Sequence, residues 1–199
     1  MPQPEARQAV LDLFRSTGAY LTGHFRLTSG LHSPAYLQCA LVLQDPRIAE
    51  DLGRRLAEAI ASLVQPERAA LVASPAIGGL IIGHEVARAL GTRFIFAERD
   101  ASGKITLRRG FEVTAGETAV VIEDVITTGG STREVIDSLR ERGARVLAAG
   151  SIIDRSGGKV DLGVPRVALE ALAVDSYPPE SCPLCAQGIP VVKPGSRRT

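Results

Sequence analysis

The chain has 199 residues, which fits a single domain with room for a small appendage. It carries 23 basic and 22 acidic residues, so its net charge gives no support for a polyanionic partner such as a nucleic acid. Aromatic residues are only 4% of the chain, and no apolar run approaches the roughly 18 residues of a membrane span. Three cysteines do not make a disulfide framework, so we expect a reducing, cytoplasmic setting.

The spacing of apolar residues predicts a helix over 4–16 and two short strands within 24–43. From Asp45 onward, helices and strands alternate, which is typical of βαβ units and predicts an α/β fold with a parallel sheet. The predicted elements are a helix from Pro46, a strand over 69–74, a helix over 79–90, strands over 93–97 and 118–122, a helix over 132–142 and a strand over 146–153.

Two stretches do not fit this alternation. Residues 98–117 form a polar connection between two predicted core strands, and loops of that length inside an α/β core are uncommon unless they are functional. The second stretch follows Tyr177, is rich in proline, and carries Cys182 and Cys185.

The most informative motif spans residues 120–132. An apolar strand ends in two adjacent carboxylates, Glu123 and Asp124, and a turn rich in glycine and hydroxyl groups then leads into a helix. Backbone N–H groups at a helix N-terminus favour a phosphate, and the carboxylates suit sugar hydroxyls or a hydrated Mg²⁺ ion. The motif therefore predicts a site for a phosphorylated sugar.

Two further glycine turns, 75–79 and 154–158, also follow predicted strands. The carboxyl ends of parallel strands meet at one edge of a sheet, so we expect all three turns to surround one crevice. No lysine follows the glycines as a P-loop requires, so a P-loop is excluded. Residues 78–83 lack the spacing of the dinucleotide fingerprint, which disfavours a dinucleotide site.

Residues 120–132 resemble the phosphoribosyl pyrophosphate signature of the type I phosphoribosyltransferases. The rest of the chain is most similar to the members of that family that use orotate. Residues 24–36 resemble their base-binding segment, 74–79 their pyrophosphate loop, 98–111 their mobile catalytic loop and 154–158 their orotate-side turn.

The resemblance implies a central parallel sheet flanked by helices, with a small N-terminal hood. The 199 residues then form one domain, with a helix and the hood over about 1–45, the core over about 46–170 and the tail over about 171–199. The implied reaction transfers ribose 5-phosphate from phosphoribosyl pyrophosphate to N1 of orotate and releases pyrophosphate.

The resemblance also implies the site residues. Arg99, Lys104 and Asp124 are the expected catalytic residues, and Thr127, Arg155 and Tyr36 are expected to bind orotate. The residues expected to bind phosphoribosyl pyrophosphate are Ile77, Gly78, Glu123, Asp124, Val125, Ile126, Thr127, Thr128, Gly129, Gly130 and Ser131. Mg²⁺ is the implied cofactor. A homodimer is implied as well, because in the family the mobile loop reaches the partner's site.

The chain departs from the family where many members carry lysines, at Thr28, Asp100 and Gly78 or its neighbour. Lys104 is the best candidate for the missing loop lysine, and Arg26 for the one missing at Thr28. A phosphoribosyltransferase for another base, or a regulator that senses the donor without turning it over, remains the alternative.

Cys182 and Cys185 form a C-x-x-C motif that fits half of a zinc site, a redox pair or two plain thiols. Only Cys39 is left as a further thiolate, which is too few for a closed tetrahedral site within one chain. A four-cysteine site shared across a dimer stays open, but the sequence predicts no metal in the tail. His24 and His32 receive no role beyond ordinary hydrogen bonding.

Overall fold

The structure, a computed structural model, describes residues 4–27 and 29–194. Its helices are α1 Pro4–Ser16, α2 Cys39–Leu43, α3 Pro46–Val64, α4 Gly79–Leu90, α5 Gly130–Arg140 and α6 Pro183–Ala186. Its strands are β1 Tyr20–Arg26, β2 His32–Leu37, β3 Leu71–Pro75, β4 Arg93–Arg99, β5 Ile105–Leu107, β6 Thr118–Ile126, β7 Arg145–Asp154 and β8 Arg166–Ala171. Among these helices, none has the length and apolar character needed to cross a membrane.

A six-stranded sheet forms the centre, in the order β5-β4-β3-β6-β7-β8. Its strands pair in parallel except for β5, which runs antiparallel to β4 at one edge. The predicted α/β fold with a parallel sheet is confirmed.

Helices cover both faces of the sheet. Strand residues alternate between the faces, so Val72 packs into one apolar core while its neighbours Leu71 and Ala73 pack into the other. The first core is covered by α1 to α4 and the second by α5. Helix α3 begins where predicted because the Asp45 carboxylate accepts a hydrogen bond from the Arg47 N–H at 2.9 Å.

The hood is the antiparallel hairpin of β1 and β2, and the C-terminal tail lies against both of its strands. Val192 exchanges backbone hydrogen bonds with β1, through the carbonyl of His24 and the N–H of Arg26. His32 on β2 and Tyr177 exchange a pair of backbone hydrogen bonds, each of 2.8 Å. The tail is therefore part of the hood, although it is the last segment of the chain.

Three features differ from the sequence expectations. Strand β6 continues to Ile126 and includes both carboxylates, whereas the predicted strand ended at residue 122. The polar stretch 98–117 contains β5, which forms a hairpin with the end of β4. Helix α2 and strand β8 were not predicted, because both are short and lack a clear period.

Candidate active site

Three loops meet at the carboxyl edge of the sheet, as the sequence predicts, because β3, β6 and β7 are neighbours. The loop after β3 contacts the end of β6, since a Cβ built on Gly78 would lie 2.7 Å from the Asp124 carboxylate oxygens. The loop after β7 joins β6 through a 2.8 Å hydrogen bond from the Arg155 N–H to the Ile126 carbonyl. The carboxyl edge of such a sheet is where ligands bind.

The loop between β6 and α5 has the geometry of an anion cradle. Gly129 adopts a left-handed conformation with φ of 73°, immediately before the first residue of α5. A Cβ there would lie 2.6 Å from Cγ1 of Val160, so only glycine allows this close approach. Nη2 of Arg133 donates to the Thr128 carbonyl at 2.8 Å and fixes the loop. The first-turn N–H groups of α5 can therefore point at a phosphate.

Glu123 and Asp124 lie side by side at the end of β6. Glu123 is buried and Asp124 is half-buried, and the Asp124 N–H donates to Oε1 of Glu123 at 3.3 Å. Burial, together with the charge of Asp124, raises the pKa of Glu123 well above its ordinary value. Burial also raises the pKa of Asp124. Two carboxylates held this close favour a partner that supplies hydroxyl donors or positive charge.

The loop from Ala76 to Gly79 faces this carboxylate pair. The Ala76–Ile77 peptide bond is cis, and the Ile77 side chain is 83% exposed. Glycine is required at position 78, because any side chain there would start within contact distance of the Asp124 oxygens. The lysine that many family members place at or beside this position has no room at Gly78.

The opposite side of the crevice carries a buried cation, Arg155, which is 5% exposed. Its Nη2 donates to Oγ of Ser33 at 2.8 Å, and Ser33 in turn donates to the Asp175 carbonyl at 2.9 Å. Its Nε has no hydrogen-bond partner among the described residues. Burial lowers the pKa of Arg155, so this guanidinium is poorly solvated and suits an anionic ligand.

Arg155 opens onto a cavity of about 280 Å³, whose other walls include Leu31, Thr127, Ser156, Lys159 and Asp175. Tyr36 lies nearby, with its ring centroid 5.9 Å from that of Phe25. The pKa of Tyr36 is raised by burial and by the charge of Asp124. Arg155 and Thr127 line the same cavity, and the charges of Arg155 and Asp124 both act on Tyr36. The three residues predicted to bind orotate therefore lie in one region near the carboxylate pair, which we call the acceptor side.

Arg99 and Lys104 lie away from this crevice. Arg99 forms a two-bond ion pair with Glu134 on α5, with Nη1 at 3.1 Å and Nη2 at 3.2 Å, and its Nη2 is 3.4 Å from Oγ of Ser131. Lys104 is exposed at the hairpin turn and lines a second cavity, along α5. In this arrangement Arg99 reaches Ser131 in the first turn of α5, whereas Lys104 is not among the residues that line the Arg155 cavity.

Sequence reasoning missed Ser33, Lys159 and Asp175, which help to form the acceptor side. Ser33 lies within the base-binding segment, but its role depends on Arg155, 122 residues later. Asp175 contributes its backbone carbonyl, for which side-chain patterns give no signal. Thr28, one of the departures from the family, lies outside the described residues.

Comparisons with known proteins identify the family to which the sequence and the fold are similar. A family model described as a phosphoribosyl transferase domain matches residues 42–165. The chain is 55% identical to the orotate phosphoribosyltransferase of Pelotomaculum thermopropionicum over 96% of its own length and 98% of the relative's. It is 53% identical to the orotate phosphoribosyltransferase of Heliobacterium modesticaldum, over 96% of its own length and 99% of the relative's. The solved orotate phosphoribosyltransferase from Aeropyrum pernix is 26% identical with a TM-score of 0.65, covering 82% of this chain and 93% of that one.

Proposed function

The chain belongs to the orotate phosphoribosyltransferases within the phosphoribosyl transferase domain family, and from this membership we propose which residues carry each half of the reaction. These enzymes of pyrimidine biosynthesis transfer ribose 5-phosphate from phosphoribosyl pyrophosphate to N1 of orotate. The products are orotidine 5′-monophosphate and pyrophosphate. The single observation that carries the assignment of the base side is the buried cation Arg155, which lines an open cavity beside Thr127.

The donor occupies the side of the crevice formed by β3 and β6. Backbone groups of Ile77 and Gly78 bind the pyrophosphate, and Glu123 and Asp124 bind the ribose hydroxyls. The loop after the carboxylates, with the start of α5, binds the 5-phosphate through the residues Val125, Ile126, Thr127, Thr128, Gly129, Gly130 and Ser131. The left-handed Gly129 and the tight packing at Gly78 support this assignment.

Mg²⁺ is the proposed cofactor, and the donor set fits it, because carboxylate oxygens are the ligands that this hard cation prefers. Glu123 and Asp124 are the residues that would hold it, directly or through the ribose hydroxyls. When bound, Mg²⁺ supplies positive charge that neutralises the departing pyrophosphate. The raised pKa values of both carboxyls are consistent with a pair that lacks a positive partner among the described residues.

The acceptor lies against Arg155, Thr127 and Tyr36. A planar guanidinium binds a carboxylate through two parallel hydrogen bonds, and orotate carries one carboxylate on its ring. Ser33 accepts a hydrogen bond from Nη2 and holds that end of the guanidinium, and Arg155 lines the cavity in which the acceptor would bind. In this proposal the pyrimidine lies next to Asp124, and so beside the ribose of the donor.

As the bond from C1 of ribose to pyrophosphate lengthens, positive charge develops on the sugar and negative charge on the leaving group. The carboxylate of Asp124 stabilises the first charge, and cationic side chains of the 98–111 segment stabilise the second. Arg99 is already at the phosphate-loop rim, 3.4 Å from Ser131. We propose that Lys104, which is exposed and lines a separate cavity, acts on a donor held in the partner subunit of a homodimer, as the mobile loop does in the family. Closure of this segment excludes water and prevents hydrolysis of the donor.

A cytoplasmic location accompanies this function, in agreement with the three free cysteines. The experiment that tests the function measures base consumption with phosphoribosyl pyrophosphate and Mg²⁺ over orotate, uracil, hypoxanthine and adenine. We expect orotate to be consumed in preference to the other three. Preference for another base contradicts the acceptor assignment, and the absence of turnover with any base indicates a regulator that only binds the donor.

A further inference from the structure

Four side chains with metal-ligating atoms meet between the hood and the tail. His24 lies on β1 and His32 on β2, while Cys182 caps the N-terminus of the short helix α6 and Cys185 lies on it. His24, His32 and Cys182 are buried, and Cys185 opens to solvent. None of the four takes part in the proposed transfer of the ribose phosphate.

The spacing of their ligand atoms matches one tetrahedral ion. Nε2 of His24 lies 2.9 Å from Nδ1 of His32 and 3.5 Å from Sγ of Cys182. Sγ of Cys185 lies 3.8 Å from Nε2 of His24 and 3.3 Å from Nδ1 of His32, and all four atoms fall within 4.8 Å of one another. With Zn–N of about 2.05 Å and Zn–S of about 2.3 Å, the edges of a zinc tetrahedron span about 3.3 to about 3.8 Å. Small shifts therefore place all four atoms on one ion.

The other ring nitrogen of His24 supports the same interpretation. Its Nδ1 lies 2.7 Å from the Ile189 carbonyl, which can only accept, so Nδ1 must carry the proton. The lone pair of Nε2 then points toward the cluster. A histidine that ligates a metal almost always donates its second N–H to such a carbonyl or carboxylate.

We propose that His24, His32, Cys182 and Cys185 bind one Zn²⁺ ion as a closed structural site. Thiolate and imidazole ligands select zinc over Mg²⁺, so this site is distinct from the proposed cofactor site at Glu123 and Asp124. This proposal reverses the sequence-based prediction of no metal in the tail. That prediction counted only cysteines and so left out the two histidines that the hairpin brings to the tail.

The ion fastens the tail to the hood and, through it, sets the acceptor side. His32 is followed by Ser33, which holds both the Arg155 guanidinium and the Asp175 carbonyl of the tail. The backbone pairing of His32 with Tyr177 lies on the same strand. Releasing the tail therefore frees the Ser33 hydroxyl, which holds Arg155, from the Asp175 carbonyl and removes one wall of the acceptor cavity, while the donor loops remain attached to the sheet.

The first test measures metal content in the full chain, purified without a histidine tag or chelators. We expect about one zinc per chain, tightly held through dialysis. Replacement of zinc by Co²⁺ should give the thiolate charge-transfer bands and the strong visible absorption of tetrahedral cobalt. Zinc well below one per chain, together with no such bands after incubation with Co²⁺, overturns the proposal. A disulfide between Cys182 and Cys185 in the freshly purified protein, seen as a loss of two mass units, also overturns it.

Two variants remove ligands: the single change Cys185→Ser, and the double change of Cys182→Ser together with Cys185→Ser. The control is His84→Gln, because His84 is an exposed histidine of α4 outside the cluster. The cysteine variants should lose zinc, whereas His84→Gln should retain it. If the double variant does not fold, the single change at the exposed Cys185 and the cobalt spectrum of the parent decide the question. Zinc retained at the parental level in Cys185→Ser contradicts the four-ligand site.

Measuring KM for each substrate shows whether the ion positions the acceptor side or only stabilises the fold. Removing zinc with a chelator should raise KM for orotate several-fold and leave KM for phosphoribosyl pyrophosphate within about twofold, because the donor loops directly follow the sheet strands β3 and β6. Added Zn²⁺ should restore the parental KM, and added Mg²⁺ should not. Equal changes in both KM values would show that the ion does not act through the acceptor side.

Discussion

Arg155→Ala tests how the acceptor is held. The native guanidinium is 5% exposed, bonded to Ser33 by Nη2, and has an Nε with no partner among the described residues. If the part of the guanidinium that faces the cavity receives the orotate carboxylate through two hydrogen bonds, alanine removes both of these charge-assisted bonds and a buried positive charge. The donor loops, which Arg155 joins only through its backbone N–H, keep their geometry.

The size of the effect follows from the number of bonds lost. One hydrogen bond to a charged group contributes about 1.5–3 kcal/mol, and each 1.4 kcal/mol is about a factor of ten, so losing one bond weakens orotate binding about 10- to 150-fold. Losing both gives a larger effect, which we expect to reach the upper end of that range or beyond. The affinity for phosphoribosyl pyrophosphate should change by less than about threefold.

The assay follows the fall in orotate absorbance and yields KM for each substrate separately. Uracil serves as the matched acceptor, because it is the same pyrimidine without the carboxylate, so Arg155→Ala should narrow the preference for orotate over uracil. Lys159→Ala, which removes an exposed cation from the same cavity, controls for a general loss of positive charge and should have a smaller effect. Unchanged orotate affinity in Arg155→Ala, or an equal loss toward uracil, would refute the assignment.

Two further predictions concern the carboxylates and the loop. Because the pKa of Glu123 is raised, the folded chain keeps a proton that the unfolded chain has released, and the free energy of unfolding falls as pH rises from about 4.3 toward the raised value. Glu123→Gln should therefore raise the midpoint of thermal unfolding of the substrate-free enzyme more at about pH 8 than at about pH 5. A rise in the midpoint that is no larger at about pH 8 than at about pH 5 contradicts this prediction. Lys104→Ala and Asp124→Asn chains, each weakly active alone, can be mixed and allowed to exchange subunits. If Lys104 acts in the partner's site, the mixture should regain about a quarter of the parental rate. Random pairing makes half of the dimers mixed, and each mixed dimer has one intact site out of two. No recovery in a mixture shown to contain mixed dimers would place Lys104 in its own chain's site or outside the reaction.

The sequence predicted the sheet and the donor loops well because both depend on local patterns. The helix over 79–90 and its stop at Gly91 follow from apolar spacing and from a left-handed glycine, and the structure confirms both. The end of β6 was misplaced because two charged residues interrupt an apolar run. Burial and pairing with β7 keep those residues in the strand regardless of their charge.

The features that were not predicted depend on contacts between distant parts of the chain. Strand β5 has only three residues and forms because it pairs with β4. His24 and Cys182 meet across 158 residues, and no periodicity links them. The base-binding segment was located by resemblance, but the anchoring of Arg155 by Ser33 required the folded hood.

The tail's position within the hood fixes the order in which the two halves of the crevice can form during synthesis. Once α5 has been made, the chain already contains both donor loops and the strands β3 and β6 that carry them. The acceptor wall needs residues 173–176 and the pairing of Tyr177 with His32, which are synthesised only after all of these elements. A chain that stops early can therefore contain every donor residue and still lack the surface that selects the base.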